Sequence, residues 1–355
     1  MSRFLSAKYE RLIPYVPGEQ PQDMKYVKLN TNESPFPPSE GVLAAVLREG
    51  ARLNLYCDPE CTELRAVAAK YYGVNPENVL PVNGSDEILY FLFLAFGDER
   101  TPFAFPDISY GFYPVYAEFC GVLKHEIPLK TDFSVDYRDY LGLGENILLA
   151  NPNAPTGVCL PVDQIEQIVR SNPDRVVVID EAYIDFGGES CVPLVKRYDN
   201  LLVTKTFSKS HSLAGARLGF GIGSDALIRD LTTVKYSINP YNVNRMTQAA
   251  GVAAIQDDAY YRANAKKIIA TREETAQRLG SLGFSVLPSK ANFLFASSDR
   301  ADGETLYREL KARGVLVRHF TKERIRGHCR ITIGTREQME IFLNHTDAIL
   351  NGKGC

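Results

Sequence analysis

Between residues 60 and 223 short apolar runs alternate with stretches of helical periodicity, and few folds accept that alternation. "PFAFP" (102–106), "NILLANP" (146–152), "RVVVIDEAY" (175–183) and "NLLVTKTFS" (200–208) are short, apolar and often β-branched, which marks them as buried strands. "ELRAVAAKYYGV" (63–74), "SDEILYFLFLAFG" (85–97) and "PVDQIEQIVRSN" (161–172) read as helices. In the last of these Val162, Ile165, Ile168 and Val169 share one face. Strands interleaved with helices predict an α/β fold, its mainly parallel sheet covered on both sides.

The flanks read differently. The first forty residues are rich in proline and asparagine, and "NTNESPFPPSEG" predicts an extended arm leading into a helix. After "RLGFGIG" helical stretches run over roughly 223–280. A smaller mixed unit follows, with "GFSVLPSKANFLFA", a helix at "GETLYRELKARG", then "VLVRHF", "CRITIG" and a last helix over 335–350. This predicts an arm over 1–35 packing with the small domain, a large domain over 36–250 and a small α+β domain over 251–355.

Composition narrows the function. The 355 residues carry a formal charge of −3, and no basic cluster is interleaved with aromatics, so no nucleic-acid partner is expected. The N-terminus has a charge every few residues and no apolar core segment, unlike a signal peptide. "YFLFLAF" is too short to span a membrane. Seven scattered cysteines without a CxxC pair predict free thiols and a cytoplasmic protein. The five histidines lack metal-ligand spacing, so no metal is expected.

In an open α/β sheet, ligands bind outside the carboxyl ends of the strands. Asp180 closes "VVVID", Asn151 and Asn153 follow "NILLA", and Thr206, Ser208 and Lys209 follow "LLVTKTF". Gly84, Ser85 and Asp86 open the helix "EILYFLFLAF". Taken singly, each has an ordinary reading. "NGSDE" is a helix cap or a phosphate-binding helix start. "NPNAPTG" is a proline-rich turn, and Asp180 with Glu181 a solvated loop, although an acid after four apolar residues calls for a cationic partner. Lys209 stands among hydroxyl residues and glycines, with Arg217 eight positions on. A lysine desolvated in such a loop becomes a Schiff-base nucleophile, and Thr206, Ser208 and Arg217 can donate to a phosphate. Lysine, phosphate donors, a strand-end acid and a helix N-terminus together point to pyridoxal 5'-phosphate.

The order "NGSDE … NPNAPTG … DEAY … TFSKSHSLAGARLG" resembles the fold type I pyridoxal-phosphate-dependent aminotransferases. Within them the chain is similar to the histidinol-phosphate aminotransferase family, through "LIPYVPGEQ", "VKLNTNESPFPPS", "LYCDPECTELR", "GVLVRHF" and "CRITIGTREQ". The resemblance implies a seven-stranded, mainly parallel sheet in the large domain. It implies that Lys209 anchors the cofactor and moves the substrate proton, that Asp180 pairs with the pyridine nitrogen and that Tyr183 bonds the ring hydroxyl. Tyr110 would stack on the ring. Gly84, Ser85, Asp86, Thr206, Ser208 and Arg217 would hold the phosphate. Tyr56 would reach the phosphate of a neighbouring subunit, which implies a homodimer. On the substrate side, Arg330 is expected at the glutamate carboxylate, Arg318 and Tyr15 near histidinol phosphate, and Asn32 beside them.

Three positions depart from the family pattern: Ala154 where an asparagine usually precedes "PTG", Ser34 in "NESP", and Cys57 after Tyr56. Either Asn153 then takes the missing asparagine's place at the ring hydroxyl or Tyr183 serves there alone. The implied reaction is amino transfer from histidinol phosphate to 2-oxoglutarate. Threonine-phosphate decarboxylation and aromatic amino-acid transamination on the same fold are the alternatives.

Overall fold

The computed structural model describes residues 2–10 and 12–352. Its strands are β1 (Val27–Lys28), β2 (Val79–Asn83), β3 (Phe103–Pro106), β4 (Lys124–Ile127), β5 (Asn146–Ala150), β6 (Val177–Asp180), β7 (Leu201–Thr206), β8 (Leu218–Gly223), β9 (Phe284–Val286), β10 (Phe293–Ser298), β11 (Val315–Leu316), β12 (Arg318–His319) and β13 (His328–Thr332). The α-helices are α1 (Glu40–Gly50), α2 (Thr62–Tyr72), α3 (Ser85–Phe96), α4 (Phe112–Cys120), α5 (Val162–Ser171), α6 (Asp225–Ile238), α7 (Arg245–Gln256), α8 (Asp258–Ser281), α9 (Gly303–Ala312) and α10 (Arg336–Leu350).

Seven strands form the large sheet in the order β2-β8-β7-β6-β5-β3-β4. β8 runs antiparallel to both neighbours, and the other six run parallel to one another. The predicted α/β sheet is therefore present. Alternation along each strand feeds two cores. Leu148, Val178 and Leu202 join α3, α4 and α6 on one face. Ile147, Leu149, Ile179 and Val203 join α2, α5 and α7 on the other.

Glycines set how closely α3 approaches the sheet. A Cβ on Gly219 of β8 would stand 2.6 Å from the Ser85 amide nitrogen and 2.7 Å from the Gly84 carbonyl carbon. Only glycine lets the start of α3 press onto that strand.

A four-stranded antiparallel sheet, β12-β13-β10-β9, packs on α8, α9 and α10 through Phe293, Ile331, Leu310 and Phe342. The arm forms a separate two-stranded sheet, β1 pairing in parallel with β11. The boundary drawn after residue 250 cuts α7, whose Ala250, Val252, Ala254 and Ile255 belong to the large-sheet core. We place the crossover along α8. Its Tyr261 packs in the large core, and its Ala265, Ile268 and Leu279 pack in the small one. Among the described residues no helix is long and apolar enough to cross a membrane.

One ion pair fixes the carboxyl edge of the sheet. Lys205 Nζ lies 2.6 Å from Glu181, with side chains 7% and 0% exposed. Glu181 also accepts from Ser190 Oγ and the Cys191 amide. Its charge holds the Lys205 amine above its ordinary pKa against the cost of burial. Removing one member strands the other. Lys205→Met should lower the unfolding free energy by about 3 kcal/mol in urea titrations, and adding Glu181→Gln should recover part of it. A loss below about 1 kcal/mol would show that the pair acts no differently from a surface pair.

Candidate active site

Asp180 closes β6 with 4% of its surface exposed. Its carboxylate accepts from the Tyr113 hydroxyl at 2.9 Å, the Thr204 hydroxyl at 3.0 Å and the Ala182 amide at 3.3 Å. Thr204 faces it because the two are register partners on β6 and β7. Among the described residues no lysine or arginine forms an ion pair with it. Burial pushes its pKa up to about 6, against the pull of the two hydroxyls. A buried acid with three donors and no cation is a site for a positively charged N–H.

Lys209 lies two residues beyond the Phe207 that follows β7. Its amine donates to the Thr31 carbonyl at 3.2 Å and sits 5.8 Å from the Tyr183 ring centroid. No carboxylate is paired with it among the described residues; the nearby Glu33 is taken by Lys28 at 2.7 Å. The Tyr183 hydroxyl accepts from Asn32 Nδ2 at 2.9 Å, which leaves its own proton to donate. Asn32 is held in turn by Thr332, through its amide and its side-chain oxygen, and by Asn292 through its carbonyl. Its left-handed backbone, φ 56°, turns the arm at this point.

The helix start is open. Gly84 precedes Ser85 at φ 76°, and no side chain caps α3, so the ordinary capping role for Ser85 or Asp86 is absent. A Cβ on Gly84 would stand 2.5 Å from Arg217 Nη2, so glycine makes room for the guanidinium over the first turn. Arg217 pairs with Asp86 at 2.8 Å, and the Tyr110 hydroxyl donates to the same carboxylate at 2.8 Å. Buried Thr206 and Ser208 bond each other at 3.0 Å. Guanidinium, hydroxyls and helix-start amides form a donor set for a phosphate.

Two further cations converge without acids. Arg318 and Arg330 are register partners on β12 and β13, and neither forms an ion pair among the described residues. Arg330 donates to the Asn30 carbonyl at 2.9 Å, while its solvent-shielded Nε has no partner. Burial lowers its pKa. Arg318 donates to the Pro17 and Val16 carbonyls, both at 3.1 Å. Burial raises the pKa of Tyr15, and the two arginines oppose that rise. Tyr15 stacks on Phe112 at 4.2 Å and leans on Tyr110 at 6.1 Å. Paired cations without a carboxylate suit an anionic ligand.

Asn153 accepts from Ser109 and donates to the Ile108 carbonyl and Thr156, so both Nδ2 hydrogens are engaged while Oδ1 keeps one lone pair. It orders the loop that carries Tyr110, and Ala154 packs in the same core as Tyr183. Tyr56 stays out of this chain's site: it is 81% exposed and stacks on Tyr241 at 4.7 Å. Sequence reading missed Tyr113, Thr204, Thr31, Asn292 and Thr332. Aligning "VVID" with "LLVT" as neighbouring parallel strands would have found Thr204.

The unpaired Asp180, the unpaired Lys209 and the open phosphate donors fit pyridoxal phosphate, with its cationic ring nitrogen, aldehyde and phosphate. Comparison with known proteins agrees. A family model described as "Aminotransferase class I and II" matches residues 24–345. The histidinol-phosphate aminotransferase of Brachyspira hyodysenteriae is 48% identical over 352 residues, 99% of each chain. Histidinol-phosphate aminotransferase 1 of Bradyrhizobium diazoefficiens is 51% identical over 338 residues, 95% of this chain and 97% of its own. The Sinorhizobium meliloti histidinol-phosphate aminotransferase, solved in complex with pyridoxal-5'-phosphate, shares the fold at a TM-score of 0.85 and 22% identity, covering 92% of this chain and 91% of that one. A chain matched along nearly its whole length by this family, with these side chains at its strand ends, belongs to the class I and II aminotransferases.

Proposed function

We propose that the chain is a pyridoxal-phosphate-dependent transaminase that moves the amino group of histidinol phosphate to 2-oxoglutarate, giving imidazole-acetol phosphate and glutamate. The observation that carries the chemistry is the complementary pair of unpartnered charges, Asp180 and Lys209, at neighbouring strand ends. The full-length relatives named for this substrate, and the acid-free pair Arg318 and Arg330, support its phosphate and its carboxylate co-substrate.

When bound, the cofactor supplies an electron sink for the carbon that bears the substrate's amine. Every other task falls to this chain. Asp180 holds a proton on the ring nitrogen, and its three donors keep it ionised once that cation faces it. Lys209 Nζ anchors the aldehyde carbon. Once free, that same nitrogen would take the proton from the substrate carbon and return it, as a base positioned by the Thr31 carbonyl. Tyr183 donates to the ring hydroxyl. The first-turn amides of α3, with Thr206, Ser208 and Arg217, hold the phosphate. Arg330 takes the glutamate carboxylate, and Arg318 with Tyr15 takes the phosphate of the amine substrate.

A homodimer and a cytoplasmic setting complete the reading. Tyr56 follows exposed Leu53 and Leu55 in the chain, and α1 carries exposed Leu43 and Leu47, apolar surface suited to a second copy. The six described cysteines are free thiols.

The half-reaction tests the substrate. Protein loaded with pyridoxal phosphate and freed of excess should lose its resting visible absorbance on adding histidinol phosphate alone, and regain it with 2-oxoglutarate. Persistence of the band rejects this amine, and threonine phosphate with carbon dioxide detection is then the next trial.

Lys209→Ala should lower turnover by at least about 10³-fold and leave nothing for borohydride to trap, and trapping in that variant would reject the anchor. Asp180 gives a pH signature in the apoprotein. Its folded pKa stands above the ordinary 3.8, so the folded state holds that proton more tightly than the unfolded chain. Stability from this group is full below about pH 4, falls as pH rises to about 6, and stays low above, a change of about 3 kcal/mol. The melting temperature of Asp180→Asn should gain on the apo wild type across that window, while the variant's turnover falls. A constant difference between pH 4 and 7 would contradict the assignment.

A further inference from the structure

The loop between β12 and β13 reaches across to the large sheet. It joins the two strands that carry Arg318 and Arg330 and includes a helical turn at Glu323–Ile325. Arg324 Nη1 lies 2.9 Å from Asp107 Oδ2, and its Nη2 donates to the Leu129 and Lys130 carbonyls at 2.9 and 3.1 Å. Lys322 Nζ donates to the Asp107 carbonyl at 2.6 Å. The other Asp107 oxygen accepts from the Leu129 amide at 2.9 Å, so the carboxylate is fixed from both sides. One guanidinium thus closes on three acceptors of the opposite domain, a geometry that a single surface ion pair does not provide.

Both ends of this clasp lead to the site. Asp107 is followed by Ile108 and Ser109, both bonded by Asn153, and then by Tyr110. On the small-domain side, Phe320 lies 5.7 Å from the Arg318 guanidinium and 5.9 Å from that of Arg330. Beneath the clasp, Ile108 and Leu129 from one domain pack with Phe295 and Ile325 from the other, flanked by Phe133 and Phe320. Phe133 also stands 5.7 Å from the Arg324 guanidinium. Polar clasp and apolar patch together make a rigid bridge between the arginine pair and the ring-facing loop.

We propose that Asp107 and Arg324 are positioning residues, a clasp between the domains that sets the distance from the arginine pair to the Tyr110 loop before any substrate binds. It rests on the transaminase reading for its kinetic consequence, since both half-reactions present an anion to the same arginines. Neither residue touches substrate or cofactor. Their effect is to remove the cost of bringing the domains together, which is expressed in binding and not in the proton transfer.

The test uses Arg324→Ala, Asp107→Asn and the double variant in the holoenzyme. Each single change should raise KM for histidinol phosphate and for 2-oxoglutarate about tenfold with kcat within about threefold, and leave pyridoxal phosphate affinity unchanged. The double variant should be no worse than the weaker single one, because both break one interaction. Amide hydrogen exchange on the apoproteins should quicken over 107–110 and 320–327 together in every variant. Unchanged KM values, additive losses in the double variant, or an equal loss of cofactor affinity would each overturn the clasp. A wild type inactive on the amine defeats the transaminase reading instead. In that event exchange decides alone, and quickening confined to one of the two segments rejects the coupling.

Discussion

The site depends on a carboxylate buried at the end of a strand without a cation to neutralise it. A lone charge in such a place is costly, and the chain accepts that cost at Asp180 while avoiding it one residue later, where Glu181 meets Lys205 at 2.6 Å. The contrast separates two uses of the same residue type. Glu181 secures the sheet edge in the free protein. Asp180 is satisfied by hydrogen bonds alone and stays electrically incomplete, which is the ground for proposing it as the partner of the cofactor's cation. Tyr113 and Thr204 are arranged around that need, because each donates to the carboxylate without adding charge.

The same logic recurs on the small domain. Arg318 and Arg330 are held by carbonyl oxygens of the arm and not by acids. Carbonyl partners orient a guanidinium and leave its charge available, whereas a carboxylate would neutralise it.

Much of this was legible in the chain, for definite reasons. β3, β5, β6 and β7 each carry a run of buried apolar residues because helices cover both faces of a parallel sheet. β2, β4 and β8 escaped because a proline interrupts the first, the second is an exposed polar edge, and every second residue of the third is glycine. Lys209, Asp180 and Arg217 stood out because polar residues just beyond apolar runs need a reason to be there. Tyr113, Asn292 and Thr332 did not, since their roles arise from register and from contacts between distant segments. The bonds of Asn153 were hidden for the same reason. Its turn engages both Nδ2 hydrogens and one Oδ1 lone pair of the amide, which no reading of "NPNAPTG" alone reveals.

The arm's bonds also set an order of events during synthesis. Thr31 receives Lys209 across 178 positions of sequence, and the Asn32 amide reaches Thr332 across 300. Residues of the arm therefore wait for a segment made 300 positions later before their contacts can form. A nascent chain can assemble the large sheet, with Asp180 and the start of α3, long before it owns a finished pocket. The pocket in its final geometry thus awaits the segment that carries Thr332.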